Sequence, residues 1–190
     1  MDPTDAVLLT IDAAGGSISG RTAIQKLIYF ESCVLEICAT YQPYYYGPYS
    51  AEVAGATQSL VSLNFLNEEI DYKESRKFKS HEDWKKYKYK ISEDGNTVLK
   101  KIKDKYTSEN LVVNQIVELC NRETGMDILK LSCAAKVHYL RENFTNTDKS
   151  QRSVNDMETL AGELGWQITE EDIFDALGFI KTLRAEISGI

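Results

Sequence analysis

A mainly helical fold with one small β-hairpin follows from three features of this 190-residue sequence. Apolar residues recur at helical spacing in segment after segment, from Val7, Leu8, Ile11 and Ala14 to Ile173, Leu177, Ile180, Leu183 and Ile187. Two runs alternate with period two instead, Ile70-Asp71-Tyr72-Lys73-Glu74-Ser75 and Lys86-Tyr87-Lys88-Tyr89-Lys90-Ile91, as half-buried strands do. Capping residues and stops punctuate the helical segments where helices need them. The length suffices for a real core. Residues 1–106 form one expected unit, and 107–190 a helical extension packed on it.

In chain order, Asp2-Pro3 opens the first helix, with a capping residue ahead of proline, and Gly15-Gly16 stops it. Ser17-Ile18-Ser19 is a short extended piece. The second helix is predicted over 21–39. Ala23, Ile24, Leu27, Ile28, Phe30, Val34, Leu35 and Cys38 form its apolar face, and Arg21, Thr22, Gln25, Lys26, Tyr29, Ser32 and Glu36 its outward one. Glu31 falls inside the apolar arc. A buried unpaired carboxylate is costly, so it either accepts hydrogen bonds from tyrosine hydroxyls of 44–49 or a basic side chain, or it stays in water.

Tyr44-Tyr45-Tyr46-Gly47-Pro48-Tyr49-Ser50 is the oddest stretch of the chain. Pro48 forbids a helix running through it, and Ser50 is placed to cap the next one. Four aromatic rings so close together predict a buried structural corner around Glu31, Tyr46, Gly47, Pro48, Tyr49 and Ser50. The alternative is a binding surface. The helix after it is predicted over 51–66, with a stripe of small or uncharged residues at Gly55, Gln58, Ser59 and Ser62. The two strands follow, joined by a long charged tip. Ser92-Glu93-Asp94-Gly95 opens a further helix, and helices are predicted over 111–120, 128–141, 154–164 (capped by Ser153) and 173–187 (capped by Thr169). Gly165-Trp166 packs on the core.

Helix, extended piece, helix, helix and β-hairpin, in that order, make the winged helix-turn-helix arrangement. The expected fold is therefore a winged helix-turn-helix with a C-terminal helical extension. Gly20-Arg21-Thr22-Ala23-Ile24-Gln25-Lys26-Leu27-Ile28-Tyr29, followed by Tyr46-Gly47-Pro48-Tyr49-Ser50, resembles the YwgA-like family of uncharacterised prokaryotic proteins. More distantly, it is similar to the Panacea (SocA-like) domain of antitoxins. Tyr89-Lys90-Ile91-Ser92-Glu93-Asp94-Gly95 and Ala135-Lys136-Val137-His138-Tyr139-Leu140 carry the same likeness. The resemblance implies a winged-helix-like fold with extra helices and regulatory or protein-binding work. It brings no catalytic residue.

The net charge of −7 argues against indiscriminate nucleic-acid binding, but its distribution is uneven. Residues 1–72 carry 2 basic and 9 acidic side chains, 73–106 carry 12 and 6, and 107–190 carry 8 and 14. The basic island coincides with the hairpin. One expectation is thus a transcriptional or operon-level regulator bound to double-stranded DNA. Arg21, Thr22, Gln25 and Lys26 would anchor phosphates, Gln58, Ser59 and Ser62 would face the groove, and Lys77, Lys86, Lys88 and Lys90 would grip the backbone. Against it, the helix meant for the groove has no lysine or arginine. The alternative is an antitoxin-type interaction module that binds a protein partner, or itself as a homodimer, without nucleic acid.

No enzyme is expected. His81 sits in the charged hairpin tip, and His138 lies among apolar helix positions as a structural histidine. No nucleophile–base pair or phosphate-cradling loop can be assembled. Cys33, Cys38, Cys120 and Cys133 lack metal-ligand spacing, which leaves free thiols in or near the core and no metal or other cofactor. No run reaches the roughly 18 apolar residues of a membrane span, and the acidic N-terminus is unlike a secretory leader. The expected location is cytoplasmic.

Overall fold

The computed structural model describes residues 1–72, 85–143 and 153–187, with the backbone alone at 71–72 and 85–86. The described chain is mainly helical with two small antiparallel sheets. The first half runs α1 (Pro3–Ala13), β1 (Ser17–Ser19), α2 (Arg21–Ser32), β2 (Gln42–Tyr44), β3 (Gly47–Tyr49), α3 (Ala51–Ser62), β4 (Leu66–Tyr72) and β5 (Lys85–Ile91). Then come α4 (Glu93–Lys105), α5 (Thr107–Thr124), α6 (Ile128–Asn143), α7 (Val154–Glu163) and α8 (Glu170–Ile187). The expected hairpin tip with Lys77 lies outside the described residues, as does the polar run 143–152, which reads as a loop, apart from Asn143 at the end of α6.

The start signals act as their chemistry requires. The Asp2 carboxylate accepts the Thr4 N–H at 2.8 Å, and Pro3 takes the first helical position. Ser50, Ser92, Ser153 and Thr169 each accept a backbone N–H of the helix they open. Gly95 serves a second purpose, since a Cβ there would lie 2.1 Å from the Phe65 carbonyl oxygen. No other residue lets α4 approach the end of α3 so closely.

α1 packs against α2, α3, α4 and α5, and α2 packs against α5, α6 and β3. α2 is therefore buried on every side from Ala23 to Glu31, and the two halves of the chain contribute to one continuous core. Trp166 is buried in it, as expected. Each fully buried Leu, Ile or Phe contributes about 1.5–3 kcal/mol.

Two helices end sooner than their apolar spacing predicts. α2 stops at Ser32 rather than 39. Beyond it Leu35, Ile37, Ala39 and Tyr41 are half-buried while Glu36, Cys38 and Thr40 are exposed, a period-two alternation that helical spacing hides. The N-terminus holds this segment: the Met1 ammonium donates to Glu36 O, and Cys38 N–H donates to Met1 O. α3 stops at Ser62 rather than 66, because Asn64 turns left-handed (φ 59°) and Leu66 begins β4.

The larger sheet has the order β1-β5-β4, all antiparallel, so β5 is central and β1 and β4 are edges. β4 begins four residues before the alternation at Ile70 suggests. Its polar start belongs to the sheet because Glu68 lies opposite Tyr89 and accepts its hydroxyl at 2.5 Å. β2 and β3 form a separate hairpin between α2 and α3.

Candidate functional site

The β2–β3 hairpin is held almost entirely through its backbone. The Gln25 side chain clamps Ser50, donating to its carbonyl and accepting its N–H, both at 2.9 Å. Lys26 Nζ donates to Pro48 O at 2.6 Å, and Trp166 Nε1 donates to Tyr44 O at 2.7 Å. Ser50 Oγ caps α3 and donates to Glu52, which also accepts from Thr40; these bonds hold the Glu52 carboxyl down at about 2. Gly47 has φ 98°, and a Cβ there would lie 3.0 Å from Lys136 Cγ, so the turn needs glycine both for its backbone and for space.

This anchoring divides the tyrosine stretch. Gly47, Pro48 and Ser50 are buried and Tyr49 is half-buried, as expected for a corner. Tyr44, Tyr45 and Tyr46 are 64%, 76% and 42% exposed. Tyr46 is therefore not part of a buried corner. The physical reason is that the hairpin's bonds to the body run through main-chain atoms, so its first three rings need no burial. Tyr45 and Tyr46 pack on each other with ring centroids 5.0 Å apart, and Tyr44 packs on the half-buried Tyr49 at 5.1 Å.

α2 carries two ionisable side chains into the interior. Lys26 is 2% exposed, and desolvation, with Lys136 nearby, lowers its pKa to about 7. Glu31 is fully buried rather than solvated, and among the described residues its carboxyl bonds neither a tyrosine nor a cation. Its carboxyl lies 3.0 and 2.9 Å from Thr10 Oγ1, which is also 2.7 Å from Ala6 O. A hydroxyl has one proton to give. If Thr10 donates to Ala6 O, a protonated Glu31 completes the chain by donating to Thr10. Burial raises the Glu31 pKa to about 8, against the opposing effect of the Thr10 bond, and this favours that protonated form.

The residues expected to meet nucleic acid are scattered in their circumstances. Gln25 and Lys26 are buried and committed to the hairpin, which corrects their outward placement: α6 and β3 cover that side of α2. Arg21 is exposed but engaged, with Nε donating to Tyr89 at 2.8 Å, Nη2 to Glu68 at 3.3 Å, and its guanidinium 3.7 Å from the centre of the Tyr87 ring. Thr22 is half-buried beside it. Gln58, Ser59 and Ser62 lie exposed on α3. Lys88 and Lys90 are exposed on β5, opposite Glu69 and Asn67 of β4. The backbone register sets Lys86 against Asp71.

His138 is buried, with Nδ1 2.8 Å from the Tyr29 hydroxyl. It lines a cleft of about 670 Å³ with Tyr29, Cys33, Tyr41 and the Arg184–Glu142 ion pair. The Cys33 sulfur is 3.8 Å from His138 Nδ1 and donates to Tyr29 O. Burial and the Glu142 charge push this thiol up to about 12, which leaves it a poor nucleophile. Cys33 is exposed as a residue but its sulfur is tucked against Tyr29 and His138, Cys38 is exposed, Cys133 is half-buried and Cys120 is buried. No cluster of three metal-ligating side chains occurs among the described residues. Among them, too, no helix is long and apolar enough to cross a membrane.

No family model matches the chain. It is 30% identical over 95 residues to "Uncharacterized protein YwgA" of Bacillus subtilis (strain 168). The match covers 50% of this chain and 52% of that protein, so the chain spans about half the length of the relative it matches. This supports the likeness to YwgA-like proteins and brings no activity with it.

Sequence reasoning missed the double role of α2. Gln25-Lys26 reads as a polar face, and only the later Gly-Pro-Tyr-Ser motif hints that such donors serve a neighbouring backbone. The exposure of Tyr44, Tyr45 and Tyr46 left no signal in the residue types.

Proposed function

We propose that this protein is an interaction module whose partner is another protein, engaged through the tyrosine face of the β2–β3 hairpin. The observation that carries this reading is the exposure of Tyr44, Tyr45 and Tyr46 on a hairpin fixed to the body by Gln25, Lys26 and Trp166. Tyrosine brings large contact area at low entropic cost and a hydroxyl for the wet rim, and it is enriched where proteins bind proteins. Rigid anchoring lowers the cost of ordering the surface on binding. In this reading 1–106 is a winged-helix-like unit with 107–190 packed on it. The work is of the antitoxin type, in which a small protein acts by occupying another.

DNA-dependent regulation is the second reading. It is supported by the likeness of α1, β1, α2, α3, β4 and β5, with β2 and β3 inserted between α2 and α3 and the sheet order β1-β5-β4, to a winged-helix order. The exposed Gln58, Ser59 and Ser62 of α3 would face the groove, and Lys88 and Lys90, with Lys77 and Lys86, would meet phosphates. Against it, Lys26 is buried, Arg21 is held by Glu68, and Lys88 faces Glu69. Each such loss removes a phosphate contact that this mode of binding depends on.

The test is retention of host proteins on the immobilised wild type and on a Tyr44→Ser/Tyr45→Ser/Tyr46→Ser variant of equal helical content. A polypeptide held by the first and lost by the second is expected, and sedimentation of the pure protein shows whether that partner is a second copy. Equal retention by both removes the tyrosine face. A gel shift on duplex DNA that weakens steeply with salt would put the second reading first.

A further inference from the structure

We infer a second binding site, separate from the tyrosine face: a groove between β1 and α5 that takes a short extended peptide carrying a basic side chain, added as a strand to the edge of the larger sheet. Its location follows from the register. Gly20 N–H donates to Tyr87 O and Ile91 N–H donates to Gly16 O. These bonds mark the Gly16/Ile91 and Gly20/Tyr87 positions as hydrogen-bonded pairs. Alternation makes Ile18/Tyr89 the third, and leaves Ser17/Lys90 and Ser19/Lys88 as non-bonded pairs. The main-chain N–H and C=O groups of Ser17 and Ser19 therefore point away from β5, along an edge that no described strand covers.

That edge opens on a cavity of about 530 Å³. Its floor is apolar and made of small or branched side chains, among them Ala14, Ile18, Leu27 and Val117. Its far wall is α5, which presents Asn114, Glu118 and Asn121 at spacings of four and three, one stripe of a helix. The stripe is about 10 Å long, and a three-residue extended strand has about the same length. An edge strand and a helix wall over an apolar floor suit a peptide bound by strand addition. Main-chain bonds supply affinity there, and alternate side chains supply selection. Among the described residues Glu118 is the only charged one on the lining, and the chain as a whole carries −7. A lysine or arginine on the peptide complements both. An acidic peptide would meet repulsion.

The site makes a distinctive demand on substitutions. Proline at Ser17 or Ser19 removes an outward donor without touching the bonds to β5, whereas proline at Ile18 breaks the sheet. The experiment pans a phage-displayed octapeptide library on the full chain. Selected peptides are then measured by fluorescence polarisation against the wild type, Ser17→Pro, Glu118→Lys and the triple tyrosine variant. Expected are peptides with β-branched residues and at least one Lys or Arg. Their affinity should fall about tenfold with Ser17→Pro and by a similar or larger factor with Glu118→Lys. It should be unchanged in the tyrosine variant. Recovery of no peptides overturns the groove, as does binding indifferent to both Ser17→Pro and Glu118→Lys. Binding lost only in the tyrosine variant overturns the groove while upholding the tyrosine face.

Discussion

The two hairpins of this protein reverse what their compositions suggest. The β2–β3 hairpin is aromatic, yet it holds Tyr44, Tyr45 and Tyr46 in solvent and is fastened by buried polar side chains. The β4–β5 hairpin is rich in lysine, yet Lys88 lies opposite Glu69 and the backbone register sets Lys86 against Asp71. A hairpin's residue types say what it could bind. The neighbours facing it decide what is left to bind with. α2 supplies much of the difference, because it gives Gln25 and Lys26 to one hairpin and Arg21 to the other.

The comparison can be sharpened at α2 first, where the largest effect lies. The Glu31 pKa is raised from 4.5 to about 8, so its contribution to stability is complete below pH 4.5 and is lost as pH rises toward 8. Lys26, lowered to about 7, adds a cost that grows as pH falls from 10.5 to 7 and is constant below. Between pH 4.5 and 7, then, Glu31 acts without Lys26. Urea unfolding should show wild-type stability declining relative to Glu31→Gln by up to about 1.4 kcal/mol per pH unit in that window. Parallel pH profiles for the two proteins would mean that Glu31 is not held protonated.

Gln25→Ala comes next, because it leaves the Ser50 N–H buried without a partner and takes one of two donors from the Ser50 C=O, which keeps the Ala54 N–H at 3.2 Å. Destabilisation of about 1–3 kcal/mol is expected from urea curves. A loss below about 1 kcal/mol would mean that the corner is fastened elsewhere. The smallest effect belongs to the lysine hairpin. Lys88→Ala combined with Lys90→Ala should change stability by no more than about 0.5 kcal/mol.

Much of the fold can be read from the residues, because its signals are local. Asp2-Pro3, Ser50, Ser92, Ser153 and Thr169 each open a helix through their own side chains, and the alternation ending at Ile91 lies within one strand. The failures are non-local. The end of α2 depends on Met1, which returns to hold Glu36 and Cys38, and the start of β4 depends on a tyrosine 21 residues away. The candidate site fared worse for the same reason. Whether Lys26 meets water or Pro48, and whether Tyr45 is buried or free, is set by α6 and Trp166, far along the chain. Glu31 stands out as anomalous in the helical pattern, but its partner Thr10 lies on a different helix.

Placing a photo-reactive phenylalanine analogue at Tyr45, and in a second protein at Lys90, tests the contrast between the hairpins most directly. Both positions are exposed, so neither insertion disturbs the core. Irradiation in host cells should yield a discrete protein adduct from position 45 and none from position 90. Nucleic-acid adducts from position 90, with nothing from position 45, would contradict the account and return function to the lysine hairpin.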